Sequence, residues 1–128
     1  MLLIKAFLSK SKINGIGLFA GENIKAGTIV YKTNPGLDLE LTVEQFKQID
    51  EPSKKLIQHY GYQDKETTKW HLAFDNIRFL NHSENGNLTK SQVYGPNCLI
   101  AKTNIKKGEE LLQDYHEFEN LRPEISFN

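Results

Sequence analysis

Hydrophobic positions along the chain come mostly in short runs broken by turn residues, and that pattern predicts strands. Leu2 to Leu8 reads as a first strand. Gly15 and Gly17 punctuate a loop before the apolar triplet Leu18-Phe19-Ala20, Thr28 to Lys32 reads as another strand, and Asn34-Pro35-Gly36 marks a turn. The middle has a different period. Thr42-Val43-Glu44-Gln45 fits a capping box, and Val43, Phe46 and Ile49 then recur at helical spacing. Pro52 ends or restarts that helix, and Lys54 to Tyr60 suits a second one. Residues 42–60 are therefore expected to form a small helical insertion in an otherwise β-rich domain. A polar loop follows over Gln63 to Lys69, then an apolar stretch from Trp70 to Phe74, then the polar segment Asp75 to Asn87.

One stretch has an echo. Leu18 to Gly27 and Leu99 to Gly108 share six of ten residues at an offset of 81, and each reads as strand, Asn-Ile-Lys-x-Gly turn, strand. Gly27 and Gly108 would supply the positive φ that such a turn uses.

A chain of 128 residues suits one domain with one real core. Sixteen Lys plus Arg balance sixteen Asp plus Glu, which argues against a protein that coats nucleic acid. The charge is unevenly spread: six carboxylates and one cation lie between Glu109 and Asn128, whereas residues 1–32 carry five Lys against Glu22. Two solvated faces or an acidic tail for a basic partner would both give this asymmetry. A single cysteine, Cys98, excludes an internal disulfide and a multi-cysteine zinc site, and no metal site is expected. No apolar run is long enough to span a membrane, and the N-terminal run is interrupted too early, at Lys5, for a signal peptide, so a cytoplasmic or nuclear protein is expected.

Three segments could carry chemistry. Asn14-Gly15-Ile16-Gly17 lets backbone approach a ligand, or is a plain hairpin loop; no Gly-Lys-Ser/Thr element follows to make it a phosphate loop. Arg78, Asn81, His82 and Ser83 surround only Phe79 and Leu80. Buried polar groups need partners, so the segment is a capped turn with a core histidine or a polar device that a ligand completes. Gly108-Glu-Glu-Leu-Leu-Gln-Asp-Tyr115 runs from a turn through a strand to a tyrosine whose ring can pack while its hydroxyl faces a pocket. Each segment alone is weak.

In this order the three segments resemble the SET-domain protein lysine methyltransferases, through Gly15-Ile-Gly17, Arg78-Phe-Leu-Asn-His-Ser83 with Asn87, and Gly108-Glu-Glu-Leu-Leu-Gln-Asp-Tyr115. The likeness covers about residues 3–119, and the length is similar to the minimal members found in viruses and bacteria. It implies a mainly β (α+β) single SET domain over residues 1–128, a β-clip-like fold of small curved sheets with a C-terminal pseudoknot and a tail from about residue 116. It further implies S-adenosyl-L-methionine as cofactor, held by Asn14, Gly15, Ile16, Gly17, Arg78, Phe79, Asn81, His82 and Phe118. Tyr115 would be the catalytic tyrosine, with Gln113, Tyr94 and His116 at the substrate channel. The implied substrate is a lysine on a histone, histone-like or other basic protein. A homodimer and, for a viral or bacterial effector, a host nucleus are also in keeping with the resemblance, whereas direct nucleic-acid or membrane binding is not expected.

Two departures stand out. Gln113 occupies a position where the family often has Tyr or Phe, which bears on how many methyls are added. Gly86 replaces a proline and suggests a looser loop. The alternatives are a SET-like module that binds a basic peptide without turnover, and a β-clip scaffold that serves in assembly.

Overall fold

The computed structural model describes residues 1–91, 93–94 and 98–117. β1 (Ala6–Lys10) and β2 (Ile16–Ala20) form an antiparallel hairpin in which Phe7 stacks on Phe19 across the strands. Then come β3 (Ile29–Lys32), β4 (Leu39–Leu41), α1 (Val43–Gln48), α2 (Glu51–Tyr60), β5 (Tyr62–Gln63) and β6 (Trp70–Leu72). A 3₁₀ turn over Asn76–Phe79 leads into β7 (Asn81–His82), β8 (Leu88–Lys90), β9 (Cys98–Ala101) and β10 (Leu112–Gln113), and a second 3₁₀ turn spans Tyr115–Glu117. The protein is mostly β, in small sheets. Among the described residues no helix is long and apolar enough to cross a membrane.

The helical insertion follows its local signals. Thr42 Oγ1 accepts the Gln45 N–H while Gln45 Oε1 accepts the Thr42 N–H, a complete capping box. Pro52 restarts the helix rather than ending it. It sits in the first turn of α2, where no intrahelical donor is needed, and Asp50 caps that turn through the Ser53 N–H. The pair packs Phe46 and Ile57 on Trp70, with the Phe46 and Trp70 rings stacked at 4.4 Å. The sheet beneath has the order β4-β6-β5.

Two strand boundaries differ from the sequence expectation. The run from Leu2 to Leu8 is divided between partners: Leu2 bridges Tyr31 and Leu3 donates to the Val30 carbonyl, whereas β1 proper begins at Ala6. Gly17 lies inside β2, opposite Ser9, and not in the loop. The five-stranded sheet, ordered β3-β9-β8-β10-β7, explains how the C-terminal segment is held. β10 lies between β7 and β8 and pairs parallel to both, although β7 and β8 are neighbours in sequence. The connection Ser83–Asn87 therefore crosses over β10, a threading that is rare among proteins. At the crossing Gly86 is buried, and a Cβ there would lie 2.6 Å from the Leu112 carbonyl oxygen and 2.8 Å from the Gln113 α-carbon. The loop is thus pressed onto the strand, contrary to the looser loop that glycine suggested. The main core includes Leu18, Val30, Leu88, Ile105 and Leu111.

Candidate active site

The threading brings the Gly-x-Gly loop, the Asn-His segment and the final tyrosine together. The link is Glu110, a residue of the Gly108-Glu-Glu-Leu-Leu-Gln-Asp-Tyr115 motif to which the sequence alone assigns no role of its own. Its carboxylate accepts the Ser11 hydroxyl at 2.8 and 2.9 Å and the Asn81 amide at 3.0 Å. It also lies against Gly17, where a Cβ would sit 2.2 Å from Oε2, so only glycine admits the carboxylate. Asn81 Nδ2 donates to the Asn14 carbonyl at 3.0 Å and approaches that of Ile16 at 3.5 Å. The Asn81 amide therefore shapes the loop from inside. Ser11 adds a turn, accepting the Ile13 and Asn14 N–H groups at 2.9 and 3.3 Å. The advance signal for Glu110 was its place in the Gly108-Glu-Glu-Leu-Leu-Gln-Asp-Tyr115 motif, which does not name its partners. Asn87 braces the crossing, donating to the Glu110 carbonyl and accepting the Leu112 N–H, both at 2.9 Å.

Tyr115 is held at both ends. Its N–H donates to His82 Nδ1 at 3.1 Å, and its hydroxyl donates to the Leu80 carbonyl. The His82 and Tyr115 rings lie 5.2 Å apart. A phenolic oxygen and a main-chain carbonyl oxygen are thus placed side by side.

A pocket of about 100 Å³ opens on Tyr115 and Gln113 and is walled by Tyr31, Tyr60, Tyr62 and Leu80. That is well below the roughly 300 Å³ at which small-molecule pockets begin, and it suits a single side chain. Gln113 is 3 % exposed, and its Nε2 has no hydrogen-bond partner among the described residues. Arg78 also lines the pocket, its guanidinium 5.6 Å from the Tyr60 and Phe79 ring centres and its buried Nε without a hydrogen-bond partner among the described residues. Phe79 meets Tyr60 edge to face. Tyr94 is 56 % exposed and, like His116, is not among the residues that wall this pocket. Phe118 lies outside the described residues.

The far wall is polar and ordered. Tyr31 donates to Asp38 at 2.8 Å, and burial pushes its phenol far above the usual range. Burial works against the Asp38 carboxylate, but N–H donors from Asn34 and Phe74 and the Tyr31 hydroxyl outweigh it and hold the carboxyl below its ordinary value. Burial holds the His71 imidazole below its ordinary value, against the opposing pull of Glu40 at 3.6 Å and of Asp64.

The SET domain family model matches residues 15–116. The chain is 33 % identical over 119 residues to a histone-lysine N-methyltransferase of Debaryomyces hansenii, described as H3 lysine-36 specific. That match covers 84 % of this chain, which spans only 15 % of the relative. Among solved structures, the Polycomb Repressive Complex 2 of Chaetomium thermophilum matches with a TM-score of 0.69 at 23 % identity, over 91 % of this chain and 16 % of that one. A second structure of that complex, bound to S-adenosylmethionine, matches with a TM-score of 0.67 at 24 % identity, over 91 % of this chain and 16 % of that one. A Plasmodium falciparum protein solved as a candidate histone methyltransferase matches with a TM-score of 0.60 at 24 % identity, over 89 % of this chain and 95 % of that one. With the SET domain model matched over residues 15–116, the chain belongs to the SET-domain family.

Proposed function

We propose that the protein transfers a methyl group from S-adenosyl-L-methionine to the side-chain amine of a protein lysine, on a histone, histone-like or other basic protein. The observation that carries this reading is the meeting of the Gly15–Gly17 loop, Asn81-His82 and Tyr115 through Glu110 and the His82 imidazole. The residues suit such a cofactor. Gly15, at φ +48°, has no atom within 4 Å of where a Cβ would stand, which leaves open space beside the loop.

The cofactor supplies an electrophilic methyl carried on a sulfonium. This chain's residues would do the rest. The Asn14 to Gly17 backbone and His82 would hold it, with Arg78, Phe79 and Phe118 as further candidates, while the small tyrosine-walled pocket receives the target side chain. A free lysine has a pKa of about 10.4, and removing its ammonium from water favours the neutral amine. No strong base is then needed, and the main contribution is alignment. The Tyr115 and Leu80 oxygens, already in contact, would accept weak C–H hydrogen bonds from the methyl as it moves. The excess of carboxylates between Glu109 and Asn128 favours a basic substrate, and the relative named for histone H3 supports a histone and a nuclear setting.

The test is incubation with methyl-labelled S-adenosylmethionine, core histones and a histone-like protein. Label on lysine is expected, with Tyr115→Phe losing most turnover while calorimetry still detects cofactor binding. Binding without transfer to any substrate would favour a non-catalytic module that recognises a basic peptide. Absence of both would leave a scaffold.

A further inference from the structure

We infer that His82, Asp114 and His116 form a binding site for a divalent transition metal such as zinc. The single cysteine argued against a thiolate site but does not bear on imidazole and carboxylate ligands. Here two imidazoles and a carboxylate converge, each offering a ligand atom within 4.8 Å of the others. Asp114 Oδ1 lies 3.1 Å from His116 Nδ1 and 3.8 Å from His82 Nδ1. Zinc binds such atoms at about 2.0–2.2 Å in a tetrahedron, which sets them roughly 3.3 Å apart. Two edges are thus near the required length, and the third needs a modest swing of one ring. His116 can provide it, because its side chain is 41 % exposed. His82 is anchored, with its side chain 12 % exposed, and the His116 N–H holds Asp114 Oδ1 at 3.0 Å.

The ligand set is selective. Two nitrogens and one oxygen suit zinc and its neighbours in the first transition row, whereas calcium and magnesium require mostly oxygen. Three protein ligands leave a fourth position open to water.

The site would also be coupled to Tyr115. His82 Nδ1 accepts the Tyr115 N–H, so a metal taken at that lone pair replaces the bond that fixes the tyrosine backbone. Metal occupancy should therefore antagonise a correctly placed Tyr115. That consequence for turnover rests on the methyltransferase reading, but the binding itself does not.

The test is titration of the purified full chain with zinc chloride by calorimetry, in a buffer that does not chelate. One ion per chain is expected, with affinity reduced about tenfold or more in both His116→Ala and Asp114→Asn. His116→Cys should retain binding through its thiolate, an outcome that a merely structural role would not produce. Circular dichroism confirms that each variant is folded. No binding to the wild-type chain overturns the inference. So does binding unchanged in both variants, or binding lost only in Cys98→Ser. Absence of methyl transfer by the metal-free chain, with zinc binding intact, would count against the enzyme reading and leave the metal site standing.

Discussion

At the scale of single residues, three positions make measurable claims. Glu110 accepts from Ser11 and Asn81, and hydrogen bonds to a charged group are worth about 1.5–3 kcal/mol each. Glu110→Ala should lower unfolding stability by several kcal/mol in urea and weaken cofactor affinity with it. Gln113 carries the opposite kind of feature, a buried donor without a partner among the described residues. Gln113→Leu should raise the urea midpoint, by about 1 kcal/mol of stability, because an orphaned donor is removed at nearly constant volume. A lowered midpoint would mean that the amide is satisfied in solution. His71 sets a pH dependence. Its folded pKa lies below the unfolded value of about 6.5, so its contribution to stability is complete above that pH and is lost as the pH falls further. The urea midpoint should fall between pH 7 and pH 5.5, and His71→Gln should flatten that slope. The motif residues were legible at this scale, because Asn-His and Asp-Tyr are distinctive in series. Glu110 was not, because its partners Ser11 and Asn81 lie 99 and 29 residues away.

At the scale of elements, the echoed segments turn out to pair with each other. Ile24 and Ile105 exchange N–H groups and carbonyls, both at 2.8 Å. Gly27 donates to Ala101 as Gly108 donates to Ala20, again both at 2.8 Å. The Ala26 N–H goes to Asn104 and the Lys107 N–H to Asn23. Each of these bonds has its mate at the offset of 81, so one strand-turn-strand unit is used twice, the two copies facing each other. Gly27 and Gly108 adopt φ of 87° and 93°, where a side chain costs about 1–2 kcal/mol. Gly27→Ala and Gly108→Ala should therefore destabilise by similar amounts, and a large inequality in denaturation would break the equivalence. The repeat was readable because turns of this kind are coded locally. Its self-pairing was not, since nothing in either copy names its partner.

At the scale of the whole molecule, the crossing of Ser83–Asn87 over β10 decides whether a site exists at all. Gly86 is pressed onto β10 at this crossing, and adding atoms to a closely packed contact typically costs 1–3 kcal/mol or somewhat more. Gly86→Ala should lower stability by about 3 kcal/mol. It should also weaken cofactor binding, read by calorimetry, because the strand that carries Glu110 towards Tyr115 would shift.

The sequence by itself determined what local physics controls. The capping box and Pro52 set the two helices, the Asn-Ile-Lys-x-Gly turns set the repeated unit, and the three motifs marked the family. These rest on hydrogen bonds and dihedral preferences within a few residues of each other. Only the tertiary structure decided which segments meet. It divided Leu2–Leu8 between two partners, placed Gly17 in a strand against Glu110, pressed Gly86 onto β10, and brought His82 to Asp114 across 32 residues of chain. The reason is that a side chain's chemistry is local, whereas its partner is chosen by how the whole apolar core is buried and by the order in which strands enter one sheet.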